Sequence, residues 1–277
     1  MTMLILFVFV LGLTIGSFLN VCICRIPRGE SVVFPNSHCP HCGFPIRVYD
    51  NIPLLSYLLL GGKCRNCEGR ISWQYPVVEF LTATVFSLTF ARLGLELRTG
   101  VLWVFFAAII VLSIIDLQER ILPNIITLPG IAVGLVGSVI SPVRDGTARW
   151  VMDYFEVAFS QPRLYSLFDS LIGALLCGAF LWLVAEVYFR VRKIEGLGFG
   201  DIKLMGMVGA FLGIKLALFT VMLGSFLGAV IGIVYIKASG KSNRYELPFG
   251  AFLGAASVIA ALWGNQILQW YFTFPRH

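Results

Sequence analysis

Long apolar runs with almost no charge limit what this chain can fold into more than any other feature. The first run extends from Met1 to Cys24 and contains no charged residue. A helix rises about 1.5 Å per residue, so about 20 apolar residues cross the roughly 30 Å hydrocarbon core of a bilayer. The run lacks the basic n-region and the small-residue cleavage site of a signal peptide. We therefore expect a retained transmembrane helix.

The composition of the whole chain favours lipid as its surroundings. Hydrophobic residues make up 58% of the 277 residues, charged residues 13%, and the mean hydropathy is +0.85. Soluble domains are about half apolar and a quarter charged. The values exclude a soluble domain, a disordered chain, a secreted disulfide scaffold and a free nucleic-acid-binding protein, so we expect a lipid bilayer and no nucleic acid as partner.

Further apolar segments follow the first at a spacing typical of a membrane bundle. They are residues 73–91, 101–116, 125–141, 167–189, 202–214, 216–236 and 249–272. The sixth and seventh segments of the chain are separated only by Lys215. The predicted fold class is an all-α polytopic membrane protein with about eight transmembrane helices.

The distribution of lysine and arginine predicts the orientation of the helices. With the N-terminus outside, fourteen of the 21 lysines and arginines fall on the cytoplasmic side. The positive-inside rule then predicts that both termini lie outside. The expected division is a first helix (1–24), a cytoplasmic insert (25–72) and a seven-helix membrane domain (73–277).

An outside loop, residues 142–166, carries apolar residues at helical spacing. They are Trp150, Val151, Tyr154, Phe155 and Ala158. This stripe predicts an amphipathic helix lying on the membrane surface, and a binding role is the alternative.

The cytoplasmic insert contains two C-x2-C pairs, Cys39 with Cys42 and Cys64 with Cys67. This spacing is typical of two knuckles that close on one tetrahedral Zn²⁺. Disulfides are the competing interpretation, but they rarely persist in a reducing cytoplasm. The insert has few large apolar side chains, and structural zinc can contribute on the order of 10 kcal/mol of folding free energy. Four thiolates leave no open position, so we expect the zinc to be structural.

Two aspartates at the cytoplasmic ends of predicted spans are candidate catalytic residues. Asp116 ends the 101–116 segment. Asp201, which follows Gly198 and Gly200, opens the 202–214 segment. An acid at the centre of a span costs about 2.5–3.5 kcal/mol. Two carboxylates at one depth can share a proton, as in aspartic proteases. Glycines before Asp201 would let a substrate backbone approach closely. The alternative for either acid is an interfacial residue or a packed ion pair.

The remaining ionisable residues limit which hydrolytic mechanisms the chain could use. The chain has three histidines, too few to favour a Ser-His-Asp triad or an HExxH zinc protease. Glu79 lies a turn or two inside the second span, and Asp169 is expected to cap a helix.

At these residues the chain resembles the type IV prepilin peptidases (prepilin leader peptidase/N-methyltransferases), the GxGD-type intramembrane aspartic peptidases of bacterial pilus and type II secretion systems. The resemblance covers nearly the whole chain. The matching motifs, besides the cysteine pairs, are Gly16-Ser17-Phe18-Leu19-Asn20-Val21, Arg25-Ile26-Pro27, Tyr49-Asp50-Asn51-Ile52-Pro53, Ser72-Trp73-Gln74-Tyr75-Pro76 with Glu79, Asp116 with Leu122-Pro123-Asn124, and Gly198-x-Gly200-Asp201 with Lys203.

The resemblance implies a multi-pass enzyme of the bacterial inner membrane. Such an enzyme removes the basic leader of type IV prepilins or pseudopilins after a glycine, at the cytoplasmic face. It also implies methylation of the new N-terminal residue, usually phenylalanine, from S-adenosylmethionine. The methyltransferase rests on the resemblance alone, and Glu79 and the insert are candidates for cofactor binding only by location. In two places the chain departs from the family: the 142–166 loop is longer, and Ala251 stands where a second proline is frequent.

The expected mechanism uses Asp116 and Asp201 to activate a water for attack on the scissile carbonyl. Their own helix dipoles favour charge on Asp201 and make Asp116 the proton carrier. A proton-coupled transporter, a methyltransferase without cleavage and a structural assembly factor are the alternatives.

Overall fold

The computed structural model describes residues 2–143, 145–156, 159, 161–193, 197–239 and 247–273. In these residues the chain is helical, and its only β pairing is two isolated bridges, which confirms the predicted all-α class. The helices are α1 Thr2–Arg25, α2 Leu55–Leu59, α3 Gln74–Leu93, α4 Leu97–Glu119, α5 Asn124–Ile140, α6 Thr147–Tyr154, α7 Pro162–Arg192, α8 Phe199–Leu212, α9 Ile214–Ser239 and α10 Phe249–Thr273.

Each apolar segment predicted from the sequence is a helix. Within the described ranges, six helices are long and apolar enough to cross a membrane: α1, α3, α4, α7, α9 and α10. Helix α5 has 17 residues and α8 has 14. At about 1.5 Å per residue, α8 is about 21 Å long, shorter than the roughly 30 Å hydrocarbon core.

From Leu204 to its end, α8 is surrounded by protein and not by lipid. Its side chains Leu204, Met205 and Met207 are at most 1% exposed. The helix ends at Gly213, whose φ of +80° is left-handed and favours glycine. This turn separates α8 from α9, the boundary that only Lys215 marked in the sequence.

The chain divides into two compact units, Met1–Val111 and Leu112–His277. In the first unit, α1 and α3 pack with their backbones close together. A Cβ atom at Gly12 would lie 2.5 Å from Ala83 Cα, and one at Gly16 would lie 2.7 Å from Glu79 Cα. Larger residues at 12 or 16 would therefore push the two helices apart.

In the second unit, α8 packs tightly against α7 and α5. A Cβ atom at Gly173 of α7 would lie 2.5 Å from the carbonyl oxygen of Gly209, and one at Gly134 of α5 would lie 2.8 Å from Ala210 Cβ. These glycines let three helix backbones approach, and the contacts fix the C-terminal half of α8 against α5 and α7.

The predicted amphipathic helix of the 142–166 loop is present as α6. Trp150 and Tyr154 on this helix and Phe155 directly after it are exposed, whereas Ala158 lies outside the described residues. Buried Asp169 accepts hydrogen bonds from the N–H groups of Ala148 (2.6 Å) and Gly146 (3.2 Å). Asp169 is thus a helix cap, as expected, but it caps α6 and not its own helix. Placement of α6 on a membrane surface stays a prediction.

Candidate active site and cysteine cluster

Asp116 is held by the start of another helix. It lies in the last turn of α4 and is 6% exposed. Its Oδ2 accepts a hydrogen bond of 2.9 Å from the backbone N–H of Ala251, in the first turn of α10. A proline at 251 has no N–H to donate. Alanine at this position therefore provides Asp116 with a hydrogen-bond donor.

Gly250 makes room for the Asp116 carboxyl group. A Cβ atom at position 250 would lie 3.0 Å from Asp116 Oδ2 and 2.9 Å from Leu122 Cδ1. Contacts this short would force the carboxyl group or the leucine to move. Gly250 was not predicted to be a site-shaping residue from the sequence.

Asp201 lies in the first turn of α8 and is 8% exposed. A Cβ atom at Gly200 would lie 2.9 Å from Leu122 Cβ, and one at Gly198 would lie 3.5 Å from Asp201 Oδ2. The predicted site-shaping glycines therefore line the approach to Asp201 and to Leu122.

Leu122 is where the two aspartate motifs meet. Its side chain contacts both Gly200, next to Asp201, and Gly250, which lies against Asp116. Because both glycines pack against this one side chain, Asp116 and Asp201 lie in the same part of the second unit. The structure thus brings together two acids that the sequence separates widely.

The position of α10 changes the helix-dipole argument about these acids. Asp116 faces the N-terminus of α10 as well as the C-terminus of its own helix. Asp201 lies near the N-terminus of α8. The N-terminus of α10 offsets the C-terminus of α4 at Asp116, so the preference of the dipoles for charge on Asp201 is weaker than the sequence predicts. Asp116 as the proton carrier stays a prediction.

The four cysteines of the insert form one cluster. Their Sγ atoms lie within 4.8 Å of one another, and Cys39 Sγ is 3.8 Å from Cys67 Sγ. Four ligands at a Zn–S distance of about 2.3 Å around a tetrahedral ion are about 3.8 Å apart. All seven cysteines are free thiols. The donor set fits tetrahedral zinc and gives no support to the disulfide alternative.

The two C-x2-C turns have the same backbone geometry. In each, the carbonyl of the first cysteine accepts the N–H four residues on, and its N–H donates to the carbonyl five residues on. The bonds are Gly43 to Cys39 and Glu68 to Cys64, both 2.9 Å, and Cys39 to Phe44 (2.9 Å) and Cys64 to Gly69 (2.8 Å). This repeated geometry aims two pairs of thiols at one point.

Hydrogen bonds favour the thiolate form of two of the four cysteines, Cys42 and Cys64. The backbone N–H of Phe44 and, next, the Asn66 amide lower the pKa of Cys42 to about 6. The Asn66 Nδ2 atom lies 3.6 Å from Cys42 Sγ. Backbone hydrogen bonds of Cys67 and Asn66 also lower the pKa of Cys64. The thiolate is the form that binds a metal.

Glu79 belongs to the first unit, whereas both aspartates belong to the second. It is 6% exposed on α3, and its Oε2 accepts a hydrogen bond of 2.8 Å from the N–H of Leu54. The structure therefore assigns Glu79 surroundings of its own, built from α1, α3 and the insert.

Comparison with known proteins places the chain in a family. Residues 10–93 match the bacterial peptidase A24 N-terminal domain, and residues 103–233 match the type IV leader peptidase family. A prepilin leader peptidase/N-methyltransferase of Pseudomonas aeruginosa is 33% identical, with 95% of this chain and 92% of the relative aligned. The chain belongs to the type IV leader peptidase family. A relative with the same name from Aeromonas hydrophila is 34% identical, over 96% of this chain and 93% of its own length.

Membership in the type IV leader peptidase family agrees with the resemblance found in the sequence. No solved structure matches the chain. The two family matches together include Glu79, all four clustered cysteines and both aspartates, but not the start of α10 that contacts Asp116.

Proposed function

We propose that the chain is an intramembrane aspartic endopeptidase that cleaves type IV prepilins and pseudopilins after a glycine, and then methylates the new N-terminal residue. The observation that carries the proposal is the pair of buried acids around Leu122 in a member of the type IV leader peptidase family. The names of its relatives include both activities.

In the proposed mechanism, Asp116 and Asp201 act together on one water molecule. One carboxylate takes a proton from the water as its oxygen attacks the scissile carbonyl carbon. The protonated partner gives its proton to the leaving nitrogen when the carbon–nitrogen bond breaks. The Ala251 N–H holds the Asp116 carboxyl group in place before and during the reaction, so Asp116 does not have to be oriented at each turnover.

The cysteine cluster is proposed to hold a structural zinc. Cys39, Cys42, Cys64 and Cys67 would be its ligands, and they would fill all four tetrahedral positions. The ion would stabilise the insert, with no position left for water or substrate.

The protein is a multi-pass membrane protein of the bacterial inner membrane. We propose that both termini and the 142–166 loop lie outside, and that the cysteine insert is cytoplasmic, from the distribution of lysine and arginine. The division into a first helix (1–24), an insert (25–72) and a seven-helix domain (73–277) belongs to the same proposal.

One reconstitution tests the function against its alternatives. The purified protein in lipid vesicles receives a prepilin and S-adenosylmethionine, and the products are identified by mass spectrometry. We expect a mature pilin that begins directly after the glycine and carries one methyl group. A prepilin that stays intact would contradict the proposal and favour a transporter or an assembly factor.

A smaller change, Gly250→Ala, tests the geometry around Asp116. The added Cβ would meet Asp116 Oδ2 and Leu122, and misplacement by about 1 Å can cost about a hundredfold in rate. We expect leader cleavage to slow by about ten- to a hundredfold, measured as kcat/KM. The control is Gly100→Ala, where a Cβ meets nothing within 4 Å. Equal rates for both variants would show that Gly250 does not shape the site.

A further inference from the structure

The Glu79 carboxyl group is buried, and the described residues give it no positively charged partner. Its partners among the described residues are the backbone N–H of Leu54 and the side chain of Ser17, both neutral. Those same residues include no lysine or arginine in an ion pair with Glu79. A buried charge with no opposite charge is costly, and in a membrane protein it marks a functional site by default.

Further polar side chains lie about one turn away from Ser17 and Glu79 on the same two helices. On α1, buried Asn20 donates from Nδ2 to the carbonyl of Tyr75 (3.1 Å), and its Oδ1 accepts from Gln74 Nε2 (3.4 Å). We call Ser17, Asn20, Gln74 and Glu79 the Glu79 cluster. The cluster combines one carboxyl group with several neutral hydrogen-bonding groups, a combination suited to a cationic polar ligand.

The insert covers Glu79 with a strained residue. Leu54 has φ 58° and ψ −49°, a positive-φ conformation that costs free energy for an ordinary L-residue. Its hydrogen bond to Glu79 offsets part of that cost. A ligand that took over the carboxylate oxygen would let Leu54 leave this strained conformation.

We infer that Glu79 binds the cationic group of the methyl-transfer reaction, either the sulfonium of S-adenosylmethionine or the α-ammonium of the newly exposed N-terminus. The inference rests on the proposed function and assigns its second activity to the first unit of the chain. A carboxylate attracts both cations in the same way, through charge in a poorly hydrated site.

Methyl transfer changes the charge at both cations, and this is why a carboxylate near one of them would be useful. The N-terminal nitrogen forms a bond to the methyl carbon while the carbon–sulfur bond breaks, and the sulfonium becomes a neutral thioether. The nitrogen must also lose one proton. That proton passes to Glu79 if Glu79 holds the ammonium, and to water if Glu79 holds the sulfonium.

The decisive variant is Glu79→Gln, which removes the charge but keeps an oxygen to accept the Leu54 N–H. The probes are S-adenosylmethionine and S-adenosylhomocysteine, which lacks the positive charge on sulfur. If Glu79 holds the sulfonium, S-adenosylmethionine binds about tenfold or more weaker to the variant, and S-adenosylhomocysteine binds as before. If it holds the ammonium, the KM of a pre-cleaved pilin peptide rises about tenfold or more instead.

A matched control is Glu96→Gln, the same substitution at an exposed carboxylate of the first unit. We expect it to leave both binding constants unchanged. Leader cleavage, measured in parallel, should continue in Glu79→Gln, because both aspartates belong to the second unit. Absence of cleavage and methylation in the wild type would refute the proposed function itself, which is a different result.

Wild-type constants for the methyl donor and the peptide in Glu79→Gln would overturn the inference. A second measurement covers a variant that does not fold. Dicyclohexylcarbodiimide labels buried carboxyl groups in membranes, and we expect S-adenosylmethionine or the pilin peptide to slow labelling of Glu79 in the wild type. If neither slows labelling more than S-adenosylhomocysteine does, Glu79 is not the cation site.

Discussion

Asp116→Asn and Asp201→Asn are each expected to reduce leader cleavage by at least about a thousandfold, because catalytic groups that act as a unit fail together. An asparagine cannot exchange a proton with water or with a leaving amine. It can still accept the Ala251 N–H at position 116, so the loss would report chemistry and not folding. Cleavage is measured as kcat/KM with a prepilin in lipid vesicles.

Two comparisons make this result specific. Asp153→Asn is the same substitution at an exposed position of α6, and it should cleave at the wild-type rate. Methylation of a pre-cleaved pilin should survive in Asp116→Asn and Asp201→Asn, since Glu79 belongs to the other unit. Unchanged cleavage in either aspartate variant would exclude the acid pair as the catalytic centre.

Removal of zinc is expected to unfold the insert while the membrane helices stay folded. Structural zinc contributes on the order of 10 kcal/mol, and the described part of the insert has only a five-residue helix and two 3-10 turns besides its cysteine turns. We expect one zinc per chain. After chelation, or in Cys39→Ser, residues 25–72 should become sensitive to protease and exchange their amide hydrogens quickly.

The matched control for zinc is Cys24→Ser, a cysteine outside the cluster. This variant should keep its zinc and its resistance to protease. Equal protease resistance with and without the metal would show that the cysteine turns fold on their own, and the structural role of zinc would then be wrong.

The Glu79 cluster connects the proposed zinc insert to the proposed methyl-transfer site. The hydrogen bond between Leu54 and Glu79 joins the insert to α3. Loss of zinc should therefore weaken the methylation of pre-cleaved pilin before it affects the aspartate pair. The two proposed activities would then respond separately to metal and to aspartate substitution.

The helices and the chemistry of single residues could be predicted from the sequence because both depend on local properties. Apolar runs place helices wherever lipid is the solvent, and each predicted segment is helical in the structure. The spacing of Cys39 and Cys42, repeated at Cys64 and Cys67, predicts a tetrahedral cluster because a two-residue gap already brings the thiols of each pair together.

Contacts between distant residues had no local signal. Ala251 donates to Asp116 across 135 positions, and Leu122 meets both aspartate motifs only once α4, α8 and α10 are packed. The cap that Asp169 provides to α6 and the contact of Leu54 with Glu79 are of the same kind. Periodicity tells which face of a helix is apolar, but not which helix end will lie against it.

The sequence by itself thus determined a membrane-embedded helical protein with a cysteine insert and two candidate acids, because hydropathy, ligand spacing and the cost of burying charge act over a few residues. Only the tertiary structure decided that the start of α10 holds Asp116, that α8 is enclosed by protein from Leu204 to its end, and that Glu79 is buried with neutral partners. Those features depend on which backbones approach closely, and small residues allow that approach without specifying the partner.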